Sequence, residues 1–185
     1  MARKTPFALR DGAKAELDRL VAKGVLHWLK EEQVTKWLSG ASFVVKPWVG
    51  LWLVTDLVHL NQVVKVPTQP FAAVQDILNS LGADAKFSST LDCKLGYWQI
   101  ALCPKSQQLV AFLTKWGTLT YLRKPMGLTS SGDIFCHRTD EPLAGIPGVQ
   151  KLVNNGLVMG STMKQLMGRV LFVFDACYVH HNALG

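Results

Sequence analysis

The stretch that decides the fold is Thr90-Leu91-Asp92-Cys93-Lys94-Leu95-Gly96-Tyr97-Trp98-Gln99-Ile100-Ala101-Leu102. Residues 87–92 (FSSTLD) read as a strand that finishes on a carboxylate. Trp98, Ile100 and Leu102 then alternate with Gln99 and Ala101. Val110 and Phe112 continue the theme after the polar turn Pro104 to Gln108, so the pattern predicts a hairpin. Leu119 to Leu122 adds a further strand after the turn at Trp116-Gly117. An aspartate at a strand end is ordinarily a turn former, so Asp92 taken alone carries little functional weight.

Upstream, Asp11 is the expected N-cap of a helix to about Lys23, with Leu17, Leu20 and Val21 as its apolar stripe and Gly24 as its stop. Ser42 to Lys46 and Leu51 to Asp56 read as two strands joined around Pro47 to Gly50. Pro67 and Pro70 mark an extended linker, and Phe71 to Leu81 reads as a helix. Downstream, Ser131 to Leu143 reads as a helix. Lys151 to Val153 and Leu157 to Met159 flank Asn154-Asn155-Gly156, a hairpin signal because Asn and Gly tolerate positive φ. Ser161 is the expected cap of a last helix bearing Leu166, Val170, Leu171 and Phe174. This order predicts an α+β fold, an antiparallel sheet backed by helices.

With 185 residues, 49% of them hydrophobic, the chain buries a real core. Its net charge of +7 favours polyanionic partners. The four cysteines (Cys93, Cys103, Cys136, Cys177) form no C-x-x-C pair, which excludes a zinc ribbon or thioredoxin-type site. The run Cys177-Tyr178-Val179-His180-His181 is better read as structural than as a metal site, since a closed site needs about four ligands. The N-terminal MARKTPFALRDG lacks the apolar core of a signal peptide, and no stretch has the length of a membrane span. An intracellular setting with free thiols and no membrane partner is expected.

Residues 90–102, together with AFLTKWGTLTYLRKPMGL (111–128), resemble the palm of gypsy-type retrotransposon reverse transcriptases. LVTDLVHLNQVVKVPTQPF (53–71) resembles the fingers, and GVQKLVNNGLVMGST (148–162) the hairpin where that family carries paired aspartates. The resemblance runs from about Glu16 to His181. It implies the fingers and palm of a right-hand polymerase, with about 16–86 on the fingers side and 87–181 on the palm side, the two interleaved. Thumb, connection and RNase H have no counterpart, so by comparison the chain is expected to be a fragment. The implied reaction is template-directed nucleotidyl transfer with magnesium, on an RNA or DNA primer–template and deoxynucleoside triphosphates. Such transfer needs two divalent cations ~3.5–4 Å apart, held by carboxylates and substrate phosphates.

Asp92 matches the family's strand-end aspartate and is the implied metal ligand. Tyr97 matches the aromatic that packs under the incoming sugar, with core packing as its plainer role. Met126 and Gly127 match the short loop near nucleotide and template, and Lys46 is a candidate phosphate contact or a solvated lysine. The departures are equally specific. The family's aspartate pair falls on Asn154 and Asn155, which keep the turn propensity and an oxygen but lose the charge. Each lost charge beside a dication is worth several kcal/mol even at an effective dielectric of ~20. Trp52 and Val58 stand where the family has phosphate-gripping and fingers arginines, and neither supplies a guanidinium fork. The expected outcome is a catalytically impaired chain, a pseudoenzyme; the alternatives are a non-catalytic nucleic-acid-binding remnant and a decayed retroelement fragment. Loss of both arginines favours decay over deliberate substitution.

Overall fold

The computed structural model describes residues 5–30, 32–33, 35–47, 50–65, 85–152 and 155–183. The expected linker at Pro67 to Pro70, the helix at Phe71 to Leu81, and Asn154 lie outside the described residues. Two units divide the chain: residues 1–66 with 97–131, and residues 67–96 with 132–185.

The first unit opens on α1 (Arg10–Ala22), whose Ala13, Leu17 and Leu20 are fully buried. Its start differs from expectation: Leu9 holds the N-cap position without a side-chain bond, and Asp11 sits in the first turn. Its end is a Schellman motif. Gly24 takes a φ of 65°, Gly24 N–H donates to Val21 O and Val25 N–H to Leu20 O. Then come β1 (Leu26–Trp28), β2 (Ser39–Lys46), β3 (Gly50–Asp56), the short α2 (Val58–Asn61) and α3 (Pro104–Gln107), β5 (Phe112–Thr114) and β6 (Gly117–Tyr121). They form a mixed five-stranded sheet in the order β1-β6-β5-β2-β3, all pairs antiparallel except β2 with β5. Phe112 and Leu119, opposite each other on β5 and β6, are fully buried, as are Leu17 and Leu20 of α1.

The hairpin expected from the alternation at 98–112 is corrected. Gly96–Gln99 is a 3₁₀ turn, and residues 100–102 run against 122–124 through a single bridge, Ala101↔Arg123. The strand that pairs with β6 is β5, beyond α3. Burial does alternate here, with Trp98 and Ile100 inside and Gln99 and Ala101 outside. Leu95, in the left-handed region at φ 56°, turns the chain before a strand can form.

The second unit contains β4 (Phe87–Asp92), α4 (Ser130–Leu143, which begins in the first unit), β7 (Val149–Leu152), β8 (Asn155–Gly160) and α5 (Met163–Ala183). Its sheet, β4-β8-β7, is wholly antiparallel, as expected of the palm-like segment. Val158, Leu166, Val170 and Val173 form its core, with Leu91, Leu143, Ile146 and Val149 packed around them. Two details of α5 differ from the sequence reading. Thr162 caps it, accepting from Gln165 N–H, while Ser161 bonds the Gln165 side chain. Leu171 and Phe174 are exposed, and Val173 takes the buried place. Among the described residues no helix is long and apolar enough to cross a membrane.

Candidate active site

In the second unit two of the expected site residues, Asp92 and Asn155, meet through backbone register. β4 and β8 pair from Phe87↔Gly160 to Asp92↔Asn155, so the carboxylate at the end of one strand faces the amide at the start of the next. Asn155 also faces Leu152 at the end of the β7–β8 hairpin. Both Asp92 and Asn155 are exposed. The turn after Asp92 is held by close packing: a Cβ on Gly96 would lie 2.6 Å from the Phe135 ring of α4. Thus the chain leaves β4 against a helix that admits no side chain at position 96.

The hairpin is tied to α4 by a lysine. Lys151 Nζ, largely buried, donates to Asp140 Oδ1 and to Cys136 O, each at 2.6 Å. This cation is therefore committed to α4. Burial pushes the Cys136 thiol up, while Lys151 pulls it back. None of the four cysteines is in a disulfide, and no group of three or more His, Cys, Asp or Glu is placed to hold a metal among the described residues.

The other candidates sit in the first unit. Tyr97 lies half-buried in the 3₁₀ turn. Its neighbour Trp98 is buried and stacks on Trp52, with ring centroids 5.5 Å apart and planes within 7°. Lys46 Nζ lies 4.6 Å from the Trp52 ring centroid. So the ammonium expected to meet a phosphate is in cation–π range of an indole, and that indole is fixed by a second one. Val58, the first residue of α2, is 60% exposed, and its N–H donates to Asp56. Met126 is half-buried, and Gly127 is exposed with φ 88°, a conformation that favours glycine.

Sequence reasoning missed the residue that fixes this loop. Asn61 Nδ2 donates to Gly127 O, and Thr129 N–H donates to Asn61 Oδ1, both at 2.9 Å. The buried Lys124 bonds Ser130, and Ser131 bonds Pro125 O, so both flanks of the loop are stitched. Nothing in the spacing around Asn61 marks it, since an amide in a short helix looks like surface.

No family model matches the chain. The retrovirus-related Pol polyprotein from transposon 412 of Drosophila melanogaster is 29% identical over 127 residues, 68% of this chain and 10% of that protein. That from transposon gypsy of the same organism is 35% identical over 91 residues, 49% of this chain and 9% of that protein. The chain thus spans about a tenth of the length of these curated relatives. The native prototype foamy virus protease–reverse transcriptase superposes with a TM-score of 0.85 over 97% of this chain and 24% of that one, at 22% identity. The chain is reverse-transcriptase-like. In this reverse-transcriptase-like fold, Asp92 and Asn155 are brought together in the second unit, and Lys46, Tyr97, Met126 and Gly127 belong to the first.

Proposed function

We propose that the chain is a polymerase-type nucleic-acid-binding domain whose capacity for nucleotidyl transfer from deoxynucleoside triphosphates is impaired. The observation that carries this reading is the register Asp92↔Asn155, which pairs one carboxylate with a neutral amide. Magnesium ordinarily takes carboxylate oxygens together with substrate phosphates. Asp92 is the one acidic side chain among the matched positions, so the donor set falls short of what a pair of divalent cations takes. Trp52, stacked on Trp98 and in cation–π range of Lys46, offers an indole where a guanidinium would grip phosphate. These features support weak magnesium binding and little chemistry.

Nucleic-acid binding rests on the fold and the charge. Foamy viral protease–reverse transcriptase has been solved with an RNA/DNA hybrid and with dsDNA. A net charge of +7 suits a phosphate backbone. The test is primer extension on an RNA template with magnesium or manganese, run beside filter binding of the same primer–template at rising salt. Salt-sensitive binding with little or no extension is expected. Efficient extension by the chain as it stands would refute the impairment, and binding indifferent to salt would refute the electrostatic interface.

A further inference from the structure

Asn155-Gly156 is the one Asn-Gly step in the sequence. Glycine after asparagine leaves the peptide nitrogen open to attack the side-chain amide carbon, because no Cβ stands in the way. Asn155 is exposed and forms the last register pair of both its ladders, Asp92↔Asn155 and Leu152↔Asn155. Ladder ends open more readily than ladder centres. We infer that Asn155 is a site of spontaneous deamidation, which turns a neutral hairpin residue opposite Asp92 into a carboxylate.

The step balances with water alone. The Gly156 nitrogen gives up its proton and bonds to Asn155 Cγ, and ammonia leaves, closing a succinimide. Water then opens the ring. Attack at Cγ restores the original backbone and gives aspartate. Attack at the backbone carbonyl gives isoaspartate, with one extra methylene in the main chain. The first product keeps the Asp92↔Asn155 register and adds one negative charge beside Asp92. The second lengthens the strand at its first residue and shifts that register. An extended backbone holds the Gly156 nitrogen away from Cγ, so the reaction is gated by opening of the end pairs. The folded chain therefore ages more slowly than the unfolded one.

The structure supplies its own control. A Cβ on Gly156 would meet Leu91 Cβ at 3.8 Å, ordinary contact, and Gly156 is not among the glycines with positive φ. Gly156→Ala therefore folds normally while shielding the nitrogen. The experiment incubates the full chain at mildly alkaline pH without metal or nucleic acid. It follows ammonia release, ion-exchange mobility and peptide mass mapping, with Asn155→Asp as a standard for one product. The expected result is conversion mapped to residue 155, slower than in the denatured chain. It should be at least about tenfold slower in Gly156→Ala, a clear change in barrier, with an unchanged far-UV spectrum. A folded chain that shows no conversion at 155 while the denatured chain converts completely would overturn the inference. So would Gly156→Ala ageing at the native rate, or conversion confined to other asparagines. Because no polymerase assay enters, these outcomes are read independently of the proposed function.

Discussion

The two sheets solve the same problem with different means. The five-stranded sheet of the first unit buries large side chains, with Phe112 and Leu119 opposite each other and Leu17 and Leu20 of α1 equally inaccessible. Among the described residues, the three-stranded sheet of the second unit packs on a modest cluster, Val158 with Leu166, Val170 and Val173. The candidate catalytic pair lies on the leaner sheet, at strand ends that are exposed. Packing sets the first sheet, whereas backbone register sets the position of Asp92 against Asn155. That is why an acid or an amide at position 155 is equally compatible with the fold. The Asn155 side chain is exposed at a strand end, outside the buried cluster.

The largest effect should come from the first sheet. Phe112→Ala is expected to cost about 3–5 kcal/mol in urea denaturation, against roughly 2–3 kcal/mol for Leu166→Ala in the smaller core. Equal costs would break the contrast. Next comes Tyr121, fully buried, its hydroxyl bonded to Thr55 at 2.9 Å. Burial pushes its pKa up to about 12, with Thr55 pulling the other way. A folded-state value above the ordinary 10.0 means support that is complete below about pH 10 and lost as pH rises through about 12. The loss should be about 2–3 kcal/mol, as a rise from 10.0 to about 12 implies, and Tyr121→Phe should abolish that alkaline step. A pH-independent melting temperature across this window would show that the sheet opens to water there.

Smaller effects probe the lean sheet. Asn154→Asp with Asn155→Asp should gain about 1 kcal/mol of stability at saturating magnesium, through ligand binding to the native state, while the unaltered chain gains less. An equal response from both would place magnesium elsewhere. The least sensitive site should be the outer side of α5. Leu171→Ser and Phe174→Ser, at positions more than half exposed, should each shift stability by no more than about 0.5 kcal/mol.

Much of this was legible from residue order. The end of β4 at Asp92, the existence of the β7–β8 hairpin, the β2–β3 pair and the Gly24 stop all follow from local turn chemistry and alternation. The turn expected on Asn154-Asn155-Gly156 lies earlier, because Asn155 and Gly156 already belong to β8 and Gly156 has no positive φ. What escaped has a common cause. Helix α5 carries two apolar stripes, so periodicity alone could not say that Val170 and Val173 face inward while Leu171 and Phe174 face out. Trp98 to Leu102 alternates like a strand, but the turn at Leu95 and the lack of room at Gly96 decide otherwise. The parallel β2–β5 pairing and the Asn61 clamp join residues more than sixty positions apart, beyond any local pattern. For the site, residue types pointed to Asp92 and Asn155, whereas the committed state of Lys46 and Lys151 needed coordinates.

The base of the β7–β8 hairpin has a mechanical consequence. Arg169, on α5, donates to Met159 O at 2.6 Å, and Met159 N–H donates to Gly148 O at 2.8 Å. At Gly160 an added Cβ would lie 2.7 Å from Leu166 N. At the other end, beside Gly156, the nearest atom leaves 3.8 Å. The hairpin is bolted where it meets α5, while at its tip Asn155 is held by register pairing with Asp92 and Leu152. Loss of the Arg169 side chain would thus free the Met159 carbonyl and slacken the bolted end, while the ladder pairs at the tip stay in place.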